Sequence, residues 1–164
     1  MVLEVRKFGD PVLKSRAMPV KEFDEALARL AEDMLQTMRD YEGVGLAANQ
    51  VGRLKRLLVA ATEDDEFAIV NPVIGSRSEE SEVFAEGCLS IPGIQVDVER
   101  PTAVTISGQD LEGGPMRLEL EGLLARIFQH EIDHLDGVLI LDRTDRASRK
   151  EAMRELRQRL LAQR

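Results

Sequence analysis

Two histidines four residues apart, His130 and His134, are the residues of this chain best suited to bind a metal ion, and they are its only histidines. In an α-helix this spacing turns the second side chain about 40° past the first and lifts it about 6 Å along the axis, so both imidazoles can face one cation. Glu131 lies beside them as a candidate general base. The pattern is typical of a metal-dependent hydrolase, in which the cation acidifies a water molecule and the carboxylate takes its proton.

A catalytic metal held in this way needs a third protein ligand and one open position. One candidate is Cys88, the only cysteine, because a thiolate is a soft, negatively charged ligand for Zn²⁺ or Fe²⁺. The other candidates are Glu151 and Glu155, which follow the histidines at a distance that suits a zincin-type peptidase. The residues alone leave this choice open.

A segment of small residues, Gly43 to Gln50, is the third feature that could serve a site. Its glycine spacing matches the loose pattern of a dinucleotide-binding loop, but that pattern requires a preceding strand, and here a predicted helix precedes it. The alternative is that the small residues let a substrate backbone approach closely, beside an amide donor from Gln50. We favour this second interpretation.

Length and composition predict one globular domain over residues 1–164. The chain is 43% hydrophobic and 32% charged, as is usual for a soluble protein, and no apolar run is long enough to span a bilayer. The first residues do not lead into the apolar core of a signal peptide. We therefore expect a cytoplasmic protein with no membrane partner.

Charge is unevenly distributed along the chain. The net charge is −8, yet residues 143–164 contain eight Lys/Arg and three Asp/Glu. The acidic remainder argues against general nucleic-acid binding, whereas the basic end allows a local contact. A solvated helix face is the simpler interpretation of this end.

Hydrophobic periodicity predicts a single α+β domain. One helix is expected from about Asp24 to Asp40, and a second begins near Gly122 and carries the histidines on a buried face shared with Leu123. A capping box of Ser148 and Glu151 predicts the start of an amphipathic C-terminal helix. The strands predicted from β-branched and apolar runs are 54–60, 67–74, 94–98, 102–107, 116–121 and 138–141.

Three segments together resemble the three motifs of the peptide deformylases. They are the glycine–alanine segment that ends in Gln50, Glu-Gly-Cys-Leu-Ser at 86–90, and Gln-His-Glu-Ile-Asp-His-Leu at 129–135 followed by Gly137. Their order and separations also match, and the resemblance extends over essentially the whole chain. It implies antiparallel sheets around a central metal-bearing helix, with a C-terminal amphipathic helix.

The resemblance implies an enzyme that removes the formyl group from the N-terminal formyl-methionine of newly made polypeptides. It implies Cys88, His130 and His134 as metal ligands. Fe²⁺ would be the usual physiological metal, with Zn²⁺, Ni²⁺ or Co²⁺ able to occupy the site in a purified sample. Glu131 would act as general base and then as general acid, with a water molecule on the metal as the nucleophile.

The resemblance also implies how the substrate is held. The Gln50 side-chain amide and the Leu89 backbone N–H would stabilise the oxyanion. Gly45 is expected to pair with the extended peptide as a strand added to an edge. From their positions in the sequence, Val44 and Ile127 are expected to line the slot for the methionine side chain, and the alternative for Ile127 is a position in the hydrophobic core.

Two other functions are compatible with the sequence. The first is a zincin-type endopeptidase, which would cleave internal peptide bonds. The second is an RNA- or ribosome-binding module that uses the arginine-rich helix at 146–164, and the resemblance suggests that an enzyme could make this ribosomal contact as well.

Overall fold

The computed structural model describes residues 1–163, so Arg164, the last residue of the predicted C-terminal helix, lies outside it. Within this range the helices are α1 (Glu25–Asp40), α2 (Gly122–Leu135), α3 (Ile140–Arg143) and α4 (Arg146–Ala162), and two 3₁₀ turns lie at Pro11–Lys14 and Ala48–Val51. The strands are β1 (Gly45–Ala47), β2 (Leu57–Ala61), β3 (Glu66–Arg77), β4 (Ser81–Cys88), β5 (Ile91–Pro101), β6 (Ala103–Gln109) and β7 (Pro115–Glu121).

The strands form two antiparallel sheets. Five strands pair in the order β1-β2-β3-β6-β7, and β4 pairs with β5 in a separate hairpin. Helix α2 contacts strands of both sheets. Its Phe128 is completely buried and meets the edge of Phe67 from β3, with ring centroids 5.7 Å apart. The predicted α+β fold, with antiparallel sheets around a central helix, is confirmed.

Helix α1 forms where the sequence predicts it and covers one face of the larger sheet. The Asp24 carboxylate accepts a hydrogen bond from the Leu27 backbone N–H at 3.0 Å, which caps the helix. Its buried apolar stripe packs on side chains of β1, β2 and β3. The helix ends where the Gly43 N–H donates to the Met38 carbonyl at 2.8 Å. This anchored end fixes the start of β1.

Five predicted strands correspond to β2, β3, β5, β6 and β7, with ends displaced by three residues or fewer. Strands β1 and β4 were not predicted. β1 has only three residues, and β4 exposes Val83 and Phe84 next to each other instead of alternating apolar and polar residues. Both strands depend on partners that are distant in sequence, which single-strand periodicity does not report.

The prediction of a strand at 138–141 is wrong. The Asp142 carboxylate accepts a hydrogen bond from the Leu139 backbone N–H at 2.9 Å, and this bond starts the helical turn α3 instead. Helix α4 also begins earlier than the predicted capping box, because Asp145 accepts from the Ser148 N–H at 2.7 Å.

Helix α4 is amphipathic, as predicted. It buries Ala152 and Leu156 against Ile91 and Ile94 of β5 and leaves its arginines on the outer faces. No helix in residues 1–163 combines the length and the apolar character needed to cross a bilayer.

Candidate active site

Cys88, His130 and His134 meet between the hairpin and the central helix. The two histidines lie one turn apart on α2, and Cys88 is the last residue of β4. The Nε2 atoms of the two histidines are 3.2 Å apart, and Cys88 Sγ lies 3.3 Å from His134 Nε2. All three ligand atoms lie within 4.8 Å of one another. The helical spacing predicted for the histidines is therefore confirmed, and the thiol joins them.

These distances fit a single metal ion. In tetrahedral coordination, with metal–nitrogen distances of about 2.0–2.1 Å and a metal–sulfur distance of about 2.3 Å, ligand atoms lie about 3.3–3.6 Å apart. The observed separations of 3.2 Å and 3.3 Å are close to this range. Burial also lowers the pKa of His134 well below its usual value, which keeps the imidazole in the neutral form that binds metals.

Glu131 lies beside this group, with only 4% of its surface exposed. Burial raises the pKa of its carboxyl group to about 7, although the positive charges of His130 and Arg100 act in the opposite direction. Its Oε1 atom is buried and has no hydrogen-bond partner among the described residues. A carboxyl group with a pKa near neutrality and an unpaired oxygen can accept and return a proton at neutral pH.

The Gln50 side chain faces the same group from the segment after β1. Its Oε1 atom accepts from the Ala47 N–H at 3.0 Å, and its Nε2 atom lies 3.6 Å from Cys88 Sγ. Across the cleft, Leu89 occupies the tight turn between β4 and β5. The Leu89 N–H has no hydrogen-bond acceptor within residues 1–163. Both predicted donors therefore lie next to the candidate metal ligands.

An open cleft of about 720 Å³ leads to these residues. Val44, Gly45 and Ile127, the residues predicted to contact the substrate, line this cleft. Ile127 is buried, whereas Val44 is 53% exposed at the cleft wall. Leu123 also lines the cleft but is 71% exposed, so the prediction that it shares the buried face of the histidines is wrong. It lies in the first turn of α2, beyond the edge of the core.

Comparison with known proteins gives the family. The family model for polypeptide deformylase matches residues 2–150. The chain belongs to this family. It is 51% identical to peptide deformylase 1 of Corynebacterium glutamicum over 160 residues, which cover 95% of each chain. A crystal structure of a peptide deformylase from Legionella pneumophila superposes with a TM-score of 0.92 at 40% identity and covers 100% of this chain and 99% of that one.

A third similar structure contains a bound ligand. The structure of a peptide deformylase from Synechococcus elongatus in complex with actinonin superposes with a TM-score of 0.89 at 45% identity, covering 93% of this chain and 85% of that chain. The deformylase resemblance predicted from the three motifs is confirmed, and so is the enzyme class, a hydrolase.

The deformylase fold leaves both alternative carboxylate ligands away from the histidines. Within residues 1–163 the only three-residue group able to hold a metal is the one that contains Cys88. Glu151 and Glu155 lie on α4 and pair there with Arg154 at 2.9 Å and Arg159 at 3.1 Å. The geometry therefore does not support the zincin-type ligand set.

The sequence pattern assigns no role to Glu86, which is buried beside the candidate metal ligands. Its carboxylate accepts from His130 Nδ1 at 3.0 Å, from Arg100 Nε at 2.7 Å and from Arg126 Nη1 at 2.5 Å. Burial alone would raise the pKa of Glu86, but the hydrogen bonds from His130 and Arg100 and the charge of Arg100 lower it to about 2. The carboxylate therefore remains ionised and turns His130 Nε2 toward Cys88 and His134.

A second carboxylate extends this ion-pair network behind the site. Asp133 accepts from Arg100 Nη1 at 2.9 Å and from Arg143 Nη2 at 2.8 Å. Arg100 thus connects Glu86 of the hairpin to Asp133 of α2. One signal could have revealed Glu86 from the sequence: residues 86 and 88 lie two apart in a strand, so their side chains share one face.

Proposed function

We propose that this chain removes the formyl group from the N-terminal formyl-methionine of newly made polypeptides and releases formate. The observation that carries the proposal is the convergence of Cys88, His130 and His134 with Glu131 at the end of an open cleft. Chains about half identical to this one over nearly their whole length are named peptide deformylases, which agrees with it.

We propose Cys88, His130 and His134 as the protein ligands of one divalent metal ion, with Fe²⁺ as the physiological metal and Zn²⁺, Ni²⁺ or Co²⁺ as alternatives after purification. Two imidazoles and one thiolate suit all four ions. When bound, such an ion lowers the pKa of a water molecule and so supplies hydroxide at neutral pH.

In this mechanism Glu131 carries the proton. Its buried carboxylate accepts a proton from the attacking water and then delivers one to the amine that leaves. Attack on the formyl carbon places negative charge on the formyl oxygen. The Gln50 side-chain amide and the Leu89 backbone N–H donate hydrogen bonds to that oxygen. The Leu89 N–H is suited to this role because it has no acceptor of its own in the described chain.

The substrate backbone is proposed to add a strand beside Gly45. β1 lies at the edge of the five-stranded sheet and pairs with β2 on one side only, where Gly45 opposes Ala60. An extended peptide on the other side would gain main-chain hydrogen bonds that do not depend on its side chains. Val44 and Ile127 are the proposed walls of the methionine slot, since both line the cleft next to Gly45.

We further propose that residues 1–164 act as one catalytic domain in the cytoplasm, and that the basic C-terminal segment 146–164, which contains α4, contacts the ribosome. Arg146, Arg149, Lys150 and Arg154 share one surface of α4, which supports contact with an anionic partner. Because α4 also packs on the core, changing these four residues to Gln tests the contact better than truncation. Ribosome cosedimentation should fall, and unchanged cosedimentation would discard the contact.

Anaerobic purification followed by metal analysis and a formate-release assay on a formyl-methionyl tripeptide tests the proposed reaction. Metal-loaded protein should release formate, and Glu131→Gln should retain the metal while losing turnover. An internally quenched peptide without a formyl group, assayed in parallel, should remain intact. Cleavage of that peptide without formate release would reject the proposal in favour of an endopeptidase.

A further inference from the structure

Ser90 is a buried polar residue next to the site, and the mechanism above does not use it. It occupies the tight turn after Cys88 and Leu89 and is 0% exposed. Its Oγ atom accepts a hydrogen bond from Gln50 Nε2 at 3.2 Å. A hydroxyl in such a place either stabilises the turn or holds the amide that it contacts.

The orientation of the Gln50 amide is fixed from both ends. Its Oε1 atom accepts from the Ala47 N–H, so the Nε2 atom must face the hairpin. One of the two amide N–H groups is directed at Ser90 Oγ, and Nε2 also lies 3.6 Å from Cys88 Sγ. The hydroxyl therefore takes one donor and leaves the other directed at the candidate metal ligands.

The backbone keeps these two side chains in register. The Arg6 N–H donates to the Gln50 carbonyl at 2.7 Å, and the Phe8 N–H donates to the Ser90 carbonyl at 2.8 Å. The N-terminal segment thus bridges the Gln50 turn and the hairpin turn, which are 40 positions apart in sequence. Two main-chain hydrogen bonds to the N-terminal segment therefore hold the turns that carry Gln50 and Ser90 next to each other.

We infer that Ser90 is a positioning residue that holds the Gln50 amide for hydrogen bonding to the oxyanion. This inference rests on the proposed deformylase reaction, in which Gln50 is a catalytic donor. In this role Ser90 acts only through Gln50, because its buried side chain does not line the cleft. Without the hydroxyl, the amide keeps the bond from the Ala47 N–H to its oxygen, but its N–H groups lose the acceptor that aligns them toward the oxyanion.

A double-mutant cycle tests this action through Gln50. Complete loss of an oxyanion donor lowers kcat by about 10²–10³. A donor that is retained but misaligned should lower kcat by less. Ser90→Ala should therefore lower kcat about tenfold with little change in KM. Gln50→Ala should show the full loss. Adding Ser90→Ala to Gln50→Ala should lower kcat no further, whereas equal loss in both backgrounds would overturn the inference.

Thr37→Val is the matched control. Thr37 is also 0% exposed, and its Oγ1 atom accepts from the Leu3 N–H at 2.8 Å, but it lies on α1 and does not line the cleft. Both single variants lose a buried hydroxyl and should melt at lower temperature. Only Ser90→Ala should lower kcat at equal metal content. An equal loss of kcat in Thr37→Val would attribute the effect to general destabilisation.

Hydrogen exchange tests the positioning role without an activity assay, so it can also be applied to variants with very low activity. The experiment uses metal-free protein, and the Gln50 side-chain amide signal is assigned in NMR spectra by comparison with the Gln50→Ala variant. The hydrogens of this amide should exchange slowly with deuterium in the wild type and in Thr37→Val. It should exchange rapidly in Ser90→Ala, and unchanged protection would refute the positioning role. If the wild type releases no formate while the amide is protected through Ser90, the proposed reaction fails but the hydrogen-bond geometry stands.

Discussion

Replacing Gly45 with Ala should disable Glu131 by steric displacement. A methyl group at Gly45 would lie 2.6 Å from Glu131 Oε2, which is 0.4 Å inside the 3.0 Å limit that Cβ atoms essentially never pass. It would also lie 3.0 Å from Ile127 Cγ2. Because Gly45 is held in β1 by its pairing with β2, the carboxylate must move rather than the strand.

The size of the effect follows from the positioning that proton transfer needs. Ordinary van der Waals contact begins at 3.4 Å, so the carboxylate oxygen must move by at least 0.8 Å from its position at 2.6 Å. A misplacement of about 1 Å at a reacting group can cost about 10²-fold in rate, so kcat/KM for formate release should fall about 100-fold. Metal content should be unchanged, because the atoms nearest to the methyl group belong to Glu131 and Ile127 and not to the candidate metal ligands. The assay is formate release at equal metal loading, with the metal quantified in each sample.

Two other glycines provide controls. Ala at Gly75 would meet nothing closer than 3.8 Å and should change neither stability nor rate. Ala at Gly108 would lie 2.7 Å from Ile69 Cγ1, away from the cleft, and should lower stability by about 1–3 kcal/mol without lowering kcat. If Gly45→Ala stayed as active as Gly75→Ala, the carboxylate position would not matter and the reasoning would be refuted.

Three further predictions concern the metal group. Cys88→Ala should abolish both metal retention and formate release, and full activity would mean that the thiol is not a ligand. Glu86→Gln should weaken metal affinity about 10–100-fold in chelator competition, and wild-type affinity would contradict its role in holding His130. Burial raises the pKa of Glu131 from 4.5 to about 7 in the metal-free protein, so its contribution to stability is present below pH 4.5 and is lost as the pH rises through about 7. In urea unfolding, the wild type should lose stability over this range relative to Glu131→Gln, and parallel curves would count against it.

Local signals in the sequence were enough to predict the three long helices, α1, α2 and α4. Asp24 and the apolar spacing of α1, and the spacing of His130 and His134 on α2, depend on residues within one or two turns. Strand β4 could not be predicted in this way, because it forms by pairing with β5 and its sequence does not alternate apolar and polar residues. Residues 138–141 have a β-branched, apolar composition, yet one hydrogen bond from the Leu139 N–H to the Asp142 carboxylate starts α3 and makes Ile140 and Leu141 helical.

The residues of the candidate site also fall into those that local spacing predicts and those that depend on contacts distant in sequence. Helical spacing alone brought the two histidines together, but only the family resemblance chose Cys88 over the carboxylates on α4. Glu86 was missed because its partners, Arg100 and His130, lie 14 and 44 positions away. Ser90 was missed for the same reason, since its contact with Gln50 depends on how the hairpin docks beside the N-terminal segment.

The ligand group has a mechanical consequence as well. Cys88 and His134 are 46 positions apart and belong to different layers, the small hairpin and the central helix. An ion bound to both would fasten the two layers and close a long loop, which an unfolded chain could do only at an entropic cost. Removing the ion would therefore lower the stability of the fold as well as abolish activity. The β4–β5 hairpin should be the first part to unfold locally.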